Sequence, residues 1–316
     1  MSSQEGPVRV GTRASALARA QSGQVAARLE QALGRPVELV DVTTQGDVSR
    51  ASLASLGGTG VFVSALRDAL LRGDVDVAVH SLKDLPTAPA DGIELAAVPL
   101  REDPRDLVVA RDRLTLAELP AGARVGTGSP RRVAQLRALG LGLEPVDVRG
   151  NVDTRIGKVR SGELDAVVLA RAGLARLGRL AEATEVLDPL QMLPAPGQGA
   201  LAVECRADDE LRLAVRDALD HAATRACVAV ERAVLAVLEA GCAAPLGALA
   251  EVVEGEQGEE LWVRAVASST DGAVAVRRSA SGPTSDPEAL GRSLAEEMLA
   301  EGAKDLIDIR PIASSK

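Results

Sequence analysis

The chain has 316 residues, 46% of them hydrophobic, and a formal net charge of −9. Tyrosine is absent and Phe and Trp occur once each, so base stacking is largely unavailable, and the acidic balance argues against a general nucleic-acid footprint. No apolar run reaches the roughly 20 residues that span a bilayer, Met1 to Pro7 lacks a secretory pattern, and Cys205, Cys227 and Cys242 have no C-x-x-C spacing; a cytosolic protein without disulfides, zinc or a His-rich metal site is expected.

In chain order, Val8 to Ser15 holds a short strand entering a helix over Ala16–Leu33, with Ser15 at the N-cap. The Gly- and Ser-rich stretch 47–59 is expected to form a flexible lid, followed by Phe62 and a helix from about Val63. Val75 to Val79, broken only by Asp76, reads as a buried parallel strand. It ends in His80, Ser81, Lys83 and Asp84, and the carboxyl ends of such strands are where open α/β sheets place ligands. Arg124 to Arg131 repeats the Val8–Ser15 pattern and enters a helix from about Pro130 to Leu139, with Ser129 at its N-cap. Ser161 to Val168 repeats Arg72 to Val79: a helix end, a Gly turn and a buried strand.

Alternating strands and helices of this kind imply parallel sheets with helices on both faces. Lobe one is expected over residues 1–100 plus about 200–217, and lobe two over 105–193. The strand from Leu201 to Val203 should return to lobe one, so that crossings near 100–105 and 193–200 form a hinge around a cleft. A C-terminal α+β domain, 218–316, is expected to contain a helix over Ala222–Ala240 capped by Gly241. Strands near Leu246–Val253, Leu261–Ser268 and Ala273–Ser279, a turn over Glu254–Glu260 and a helix over Pro287–Ala300 follow. Its core looks thin.

Arginines gather at strand ends and helix starts: Arg13, Arg131, Arg132, Arg149, Arg155 and Arg176. A helix N-terminus already carries positive potential, so cations placed there suggest an anionic ligand. Guanidinium binds carboxylate and phosphate in bidentate fashion, and the cluster therefore suggests a ligand with several such groups. Phosphate-loop, dinucleotide and nucleophile-elbow motifs are missing. Cys242, in a loop between Gly241 and Pro245, is the one cysteine placed to reach a cleft; Cys205 and Cys227 look like small buried hydrophobes.

VHSLKDLP (79–86), REDPRD (101–106), GTGSPRR (126–132), VRGNVDTR (148–155), PAPGQGAL (194–201) and EAGCAAPLG (239–247) follow one another in this order. In these motifs the chain resembles the porphobilinogen deaminase family, also called hydroxymethylbilane synthases, over residues 8 to 310. The resemblance implies an α/β fold of two periplasmic-binding-protein-like lobes with a hinge plus the small C-terminal domain. It implies a transferase of porphyrin, heme and tetrapyrrole biosynthesis that joins four porphobilinogen molecules head to tail, releasing ammonia each time, and then frees hydroxymethylbilane by hydrolysis. A dipyrromethane cofactor would be bound through a thioether to Cys242, with Lys83, Asp84, Ser129, Arg131, Arg132, Asn151 and Gln198 around it. Asp84 would be catalytic. Arg13, Ser15, Arg149, Arg155 and Arg176 would bind substrate. Phe62, almost alone as an aromatic, is expected either to stack at the cofactor and substrate site or to anchor the helix from about Val63 in the core. Porphobilinogen and the growing chain would be the partners of a monomer that binds neither nucleic acid nor membrane. Ser55 and Thr59 depart from the Lys that relatives carry there, which bears on lid contacts and not on Asp84.

Two other readings share this plan: a non-enzymatic two-lobed anion-binding protein, and a ligand-sensing module of a transcription regulator. Lys83–Asp84 and the Cys242 domain speak against the first. The lack of a basic helix-turn-helix in the first 35 residues speaks against the second.

Overall fold

A computed structural model of the chain describes residues 6–42, 60–238, 244–255 and 258–307. The chain divides into two compact units, Met1–Glu102 with Ala200–Arg225, and Asp103–Gly199 with Ala226–Lys316. The stretch 47–59 with Ser55 and Thr59, and Gly241 and Cys242, lie outside the described residues, as does the side chain of Phe62.

The first unit contains a sheet of β1 (Val8–Thr12), β2 (Val37–Asp41), β3 (Val77–Ser81), β4 (Ile93–Ala97) and β10 (Leu201–Arg206), in the order β2-β1-β3-β10-β4. The second contains β5 (Asp106–Ala110), β6 (Arg124–Gly126), β7 (Glu144–Val146), β8 (Ala166–Ala170) and β9 (Glu185–Val186), in the order β7-β6-β8-β5-β9. The two orders are the same plan. In each, the one antiparallel strand, β10 or β5, is the first strand after the chain passes from the other unit. The expected return of the Leu201 strand to the first lobe is thus observed, pairing Leu201 with Ser81 and Val203 with Val79.

The internal repeat has a packing cause. Gly11 lies opposite Ala78, and Gly126 opposite Val167. A Cβ at Gly126 would lie 2.6 Å from Leu164 Cδ1, and one at Gly11 3.1 Å from Leu66 Cδ2. Both strands use glycine where a buried leucine presses on the backbone.

In the first unit α1 (Ala16–Leu33) occupies its expected span; Ser15 Oγ accepts from the Ala18 N–H at 3.3 Å and Gly34 closes the helix at φ 62°. With α6 (Leu211–Leu219) it packs on one face of the sheet, over Val8, Val10, Val77, Val79 and Val203. On the other face α2 (Gly60–Leu71) brings Leu66 and Leu70 onto Val75 and Ala78. Burial on both faces is why β3 reads as an unbroken apolar run. In the second unit α3 (Pro130–Ala138), α4 (Val152–Arg160) and α5 (Arg171–Arg176) cover the sheet in the same way, with Leu136 over Val108, Val125 and Val168, and Ile156 over Leu107, Val109 and Val167.

The rest of the second unit is α7 (Ala222–Val237, its first turn belonging to the first unit), an antiparallel meander of β11 (Leu246–Gly255), β12 (Gly258–Ser268) and β13 (Ala275–Pro283), then α8 (Pro287–Ala300) and α9 (Ala303–Ile307). Its core is not thin. Strands of 10 and 11 residues bury Leu246, Ala248, Ala250, Leu261, Val263 and Ala265 under Val230, Val234, Leu294 and Met298. Gly291 lets α8 approach α7 closely, since a Cβ there would fall 2.4 Å from the Val230 carbonyl oxygen. The third strand runs past its expected end because Arg277, Arg278 and Ser279 sit on a half-exposed strand where apolar alternation is faint.

Candidate active site

In the first unit the site is prepared by β3. Four buried residues, Val77 to His80, carry the chain into a single 3₁₀ turn, Leu82–Asp84. Leu82 is fully buried and its N–H donates to the Ala200 carbonyl at 3.0 Å, which leaves Lys83 and Asp84 half-buried beside it. Among the described residues no donor pairs with the Asp84 carboxylate. Ser81 Oγ accepts from Gln21 Nε2 at 2.9 Å. Arg13 follows β1, also half-buried, and Ser15 is engaged as the cap of α1.

Beneath this strand end lies a polar cluster that sequence reasoning missed. Glu204 of β10 is 2% exposed; it takes a bidentate pair from Arg67 of α2 (Nη2–Oε1 2.7 Å, Nε–Oε2 3.0 Å), and His80 Nε2 lies 3.2 Å from Oε2. Burial alone would raise the Glu204 carboxyl, but hydrogen bonds from His80 and Arg67 outweigh it and hold the pKa at about 2. Burial, helped by the nearby Asp209 and only partly opposed by Arg206, pushes the Cys205 thiol up to about 12, so it is inert.

In the second unit Arg131 and Arg132 do start α3, after Ser129 and Pro130. They were expected to meet an anionic ligand at the helix start; the structure buries both, at 3% and 6% exposure. The cause is Asp106, the fully buried first residue of β5. Its Oδ2 accepts from Arg131 Nη2 and its Oδ1 from Arg132 Nη2, each at 2.7 Å. Arg131 Nη1 donates to the Leu193 carbonyl at 2.6 Å and Arg132 Nη1 to that of Val168 at 3.0 Å. Gln198 Nε2 joins Asp106 Oδ1 at 2.8 Å and the Pro104 carbonyl at 2.7 Å. Asp106, the last letter of REDPRD, was the available signal, and its role was not legible there. The two guanidiniums overcome the desolvation of its carboxylate and hold it well below the usual range, while burial lowers Arg131.

Further cations surround this trio. Arg155 is half-buried on α4, with Nε on the Gly150 carbonyl at 2.9 Å; its pKa is lowered by burial, then by Arg132 and Arg149. Arg149 is exposed and leans on Asp147 (3.2 Å). Arg176 Nη2 donates to the Gly199 carbonyl at 2.7 Å. Ser129 Oγ makes no capping bond to α3. Asn151, in contrast, is committed: its Oδ1 accepts from the N–H and hydroxyl of Thr154, both at 2.9 Å, as the N-cap of α4. Glu231, buried in α7 and also missed, accepts from the Gly197 N–H (2.6 Å) and the Ala250 N–H (2.9 Å), fixing the 194–199 loop that carries Gln198.

Fold and residues together define an α/β protein of two like-built lobes and a sheet domain, whose second lobe holds more positive charge than its own carboxylates neutralise. Two family models match the chain: "Porphobilinogen deaminase, dipyromethane cofactor binding domain" over residues 8–214 and "Porphobilinogen deaminase, C-terminal domain" over 225–300. The chain belongs to the porphobilinogen deaminase family. It is 59% identical to porphobilinogen deaminase 1 of Streptomyces coelicolor, over 97% of this chain and 99% of that one. It is 58% identical to porphobilinogen deaminase of Thermobifida fusca, over 95% and 96%. Among solved structures, immunogenic lipoprotein A of Vibrio vulnificus aligns at 12% identity and TM-score 0.42, covering 67% of this chain and 94% of that one.

Proposed function

We propose that this chain is a transferase that condenses four porphobilinogen molecules head to tail on a dipyrromethane held as a thioether by Cys242, expels ammonia at each step and releases hydroxymethylbilane by hydrolysis. The observation that carries it is the second lobe's surplus of cations. Asp106 offsets one of two buried arginines, the Nε atoms of both Arg131 and Arg132 are buried without a partner among the described residues, and Arg155 is disfavoured as a cation by burial, Arg132 and Arg149. A ligand rich in carboxylates relieves this strain through charge-assisted hydrogen bonds. Pyrroles bearing two carboxylates each, linked in a chain, are such a ligand, so the residues present fit the cofactor. When bound, the dipyrromethane supplies the terminal pyrrole carbon to which units are added.

Arg131, Arg132 and Ser129 receive its carboxylates; Arg13, Arg149, Arg155 and Arg176 receive those of incoming porphobilinogen. Ser15, Asn151 and Gln198 serve by holding the backbone that presents these cations. Asp84, unpaired among the described residues at a strand end, faces the positive charge that develops as ammonia leaves, and a fixed carboxylate stabilises it without reorganisation. It also accepts the proton that the pyrrole must lose.

Intact mass under denaturing conditions, for the parent and Cys242→Ser, tests this directly. The parent should exceed its sequence mass by one dipyrromethane, the variant should not, and porphobilinogen should add further units stepwise to the parent. A parent that gains no mass with porphobilinogen would sink the proposal.

A further inference from the structure

Asp106 has no part in the steps above, yet three of their residues converge on it. Arg131 and Arg132 are neighbours in sequence, so their side chains leave α3 about 100° apart. One carboxylate nevertheless takes an Nη2 from each at 2.7 Å and Gln198 Nε2 at 2.8 Å. With both Nη1 atoms on the Leu193 and Val168 carbonyls, neither guanidinium can turn without breaking a buried bond. Gln135 reinforces the frame, its Nε2 on the same Leu193 carbonyl at 3.0 Å and its Oε1 accepting the Leu193 N–H at 2.8 Å. Glu231 pins the loop that delivers Gln198. The ion set of two arginines and one aspartate retains one net positive charge in a place almost without water.

Resting on the function proposed above, we propose that Asp106 is a positioning residue: it locks Arg131, Arg132 and Gln198 into one rigid cationic unit whose geometry sets the capture of the cofactor's and substrate's carboxylates. A merely structural Asp106 would lower stability and leave the folded fraction fully active. A positioning residue acts through the arginines, so its loss should cost less once one of them has gone.

The test compares D106N, R132Q and the double variant, each per folded molecule, by intact mass for primer occupancy and by porphobilinogen kinetics. D106N should lower kcat/KM roughly 100-fold, as small misplacements of binding groups do, and lower primer occupancy. On the R132Q background it should cost clearly less, roughly tenfold, because only Arg131 and Gln198 still depend on it. Parent-like occupancy and kcat/KM in folded D106N, or a double variant whose loss is the product of the single losses, would overturn the proposal. If D106N does not fold, Q198L, which leaves both ion pairs in place, substitutes for it. It should cost roughly tenfold, in line with a lost hydrogen bond to a charged group, and clearly less on R132Q; multiplicative losses would overturn the proposal. The parent, run alongside, separates the two ideas: a parent without adduct or turnover refutes the function and not the network.

Discussion

Glu204→Gln removes the charge that holds β10, β3 and α2 together under the strand end. In the native protein the carboxylate meets Arg67 at 2.7 and 3.0 Å and His80 at 3.2 Å, all three groups being largely buried. Burial raises the Glu204 carboxyl, and His80 and Arg67 pull it down further than burial lifts it, from 4.5 to about 2. At about 1.4 kcal/mol per unit, that difference is worth roughly 3 kcal/mol of stability. Breaking a buried ion pair by removing one partner costs about 3–5 kcal/mol, which agrees. The folded pKa lies below the unfolded one, so this stability is present in full above about 4.5 and is lost as pH falls through about 2. E204Q should therefore be roughly 3 kcal/mol less stable at pH 7, and the gap should close below pH 4.5. The lone Trp262 lies in β12, in the other unit, so its fluorescence is the wrong probe. Hydrogen exchange at amides of β3 and β10 reads the affected sheet. A gap under about 1 kcal/mol at pH 7, the size of an exposed pair, or a gap that stays constant down to pH 2, would refute the reasoning.

Asp84→Asn should leave thermal unfolding unchanged, because the carboxylate has no partner among the described residues, while kcat falls roughly 100-fold or more, the usual contribution of a positioned acid–base group. Turnover of primer-loaded protein checks this, and near-parental kcat would remove Asp84 from its role. Arg155→Leu should keep or raise the melting temperature, since burial, Arg132 and Arg149 disfavour the cation it deletes. It should also raise KM for porphobilinogen roughly tenfold, as the loss of a charged hydrogen bond does. A lower melting temperature with unchanged KM would make Arg155 structural.

Much of the fold was legible because its signals are local. The run Val77 to Val79 is apolar at every position because the strand is covered on both faces. The N-cap Ser15 and the glycines at 11 and 126 mark where strands hand over to helices, whereas Ser129, also read as a cap, makes no capping bond, and the cap at Asn151 was not read. The spans Ala16–Leu33 and Pro287–Ala300 could be read directly, since a cap, helical spacing and a stop signal lie within one window. The motif order carried the family.

The partners of the buried charges could not be read that way. Arg131 finds Asp106 across 25 residues and Arg67 finds Glu204 across 137. In LAVECR, Glu204 looks like the outward residue of an alternating strand; it is buried because α2 covers that face of the sheet, beside Ala78, and delivers Arg67 from far away in the chain. Arg131 and Arg132 likewise look like surface cations at a helix start until β5 places Asp106 beneath them. Periodicity and capping follow from neighbours along the chain, so the residues themselves settled the elements and their order. Whether a charge is desolvated depends on which distant strand or helix lies beside it, and that was decided only when each unit packed on its own sheet, around Glu204 in the first and Asp106 in the second.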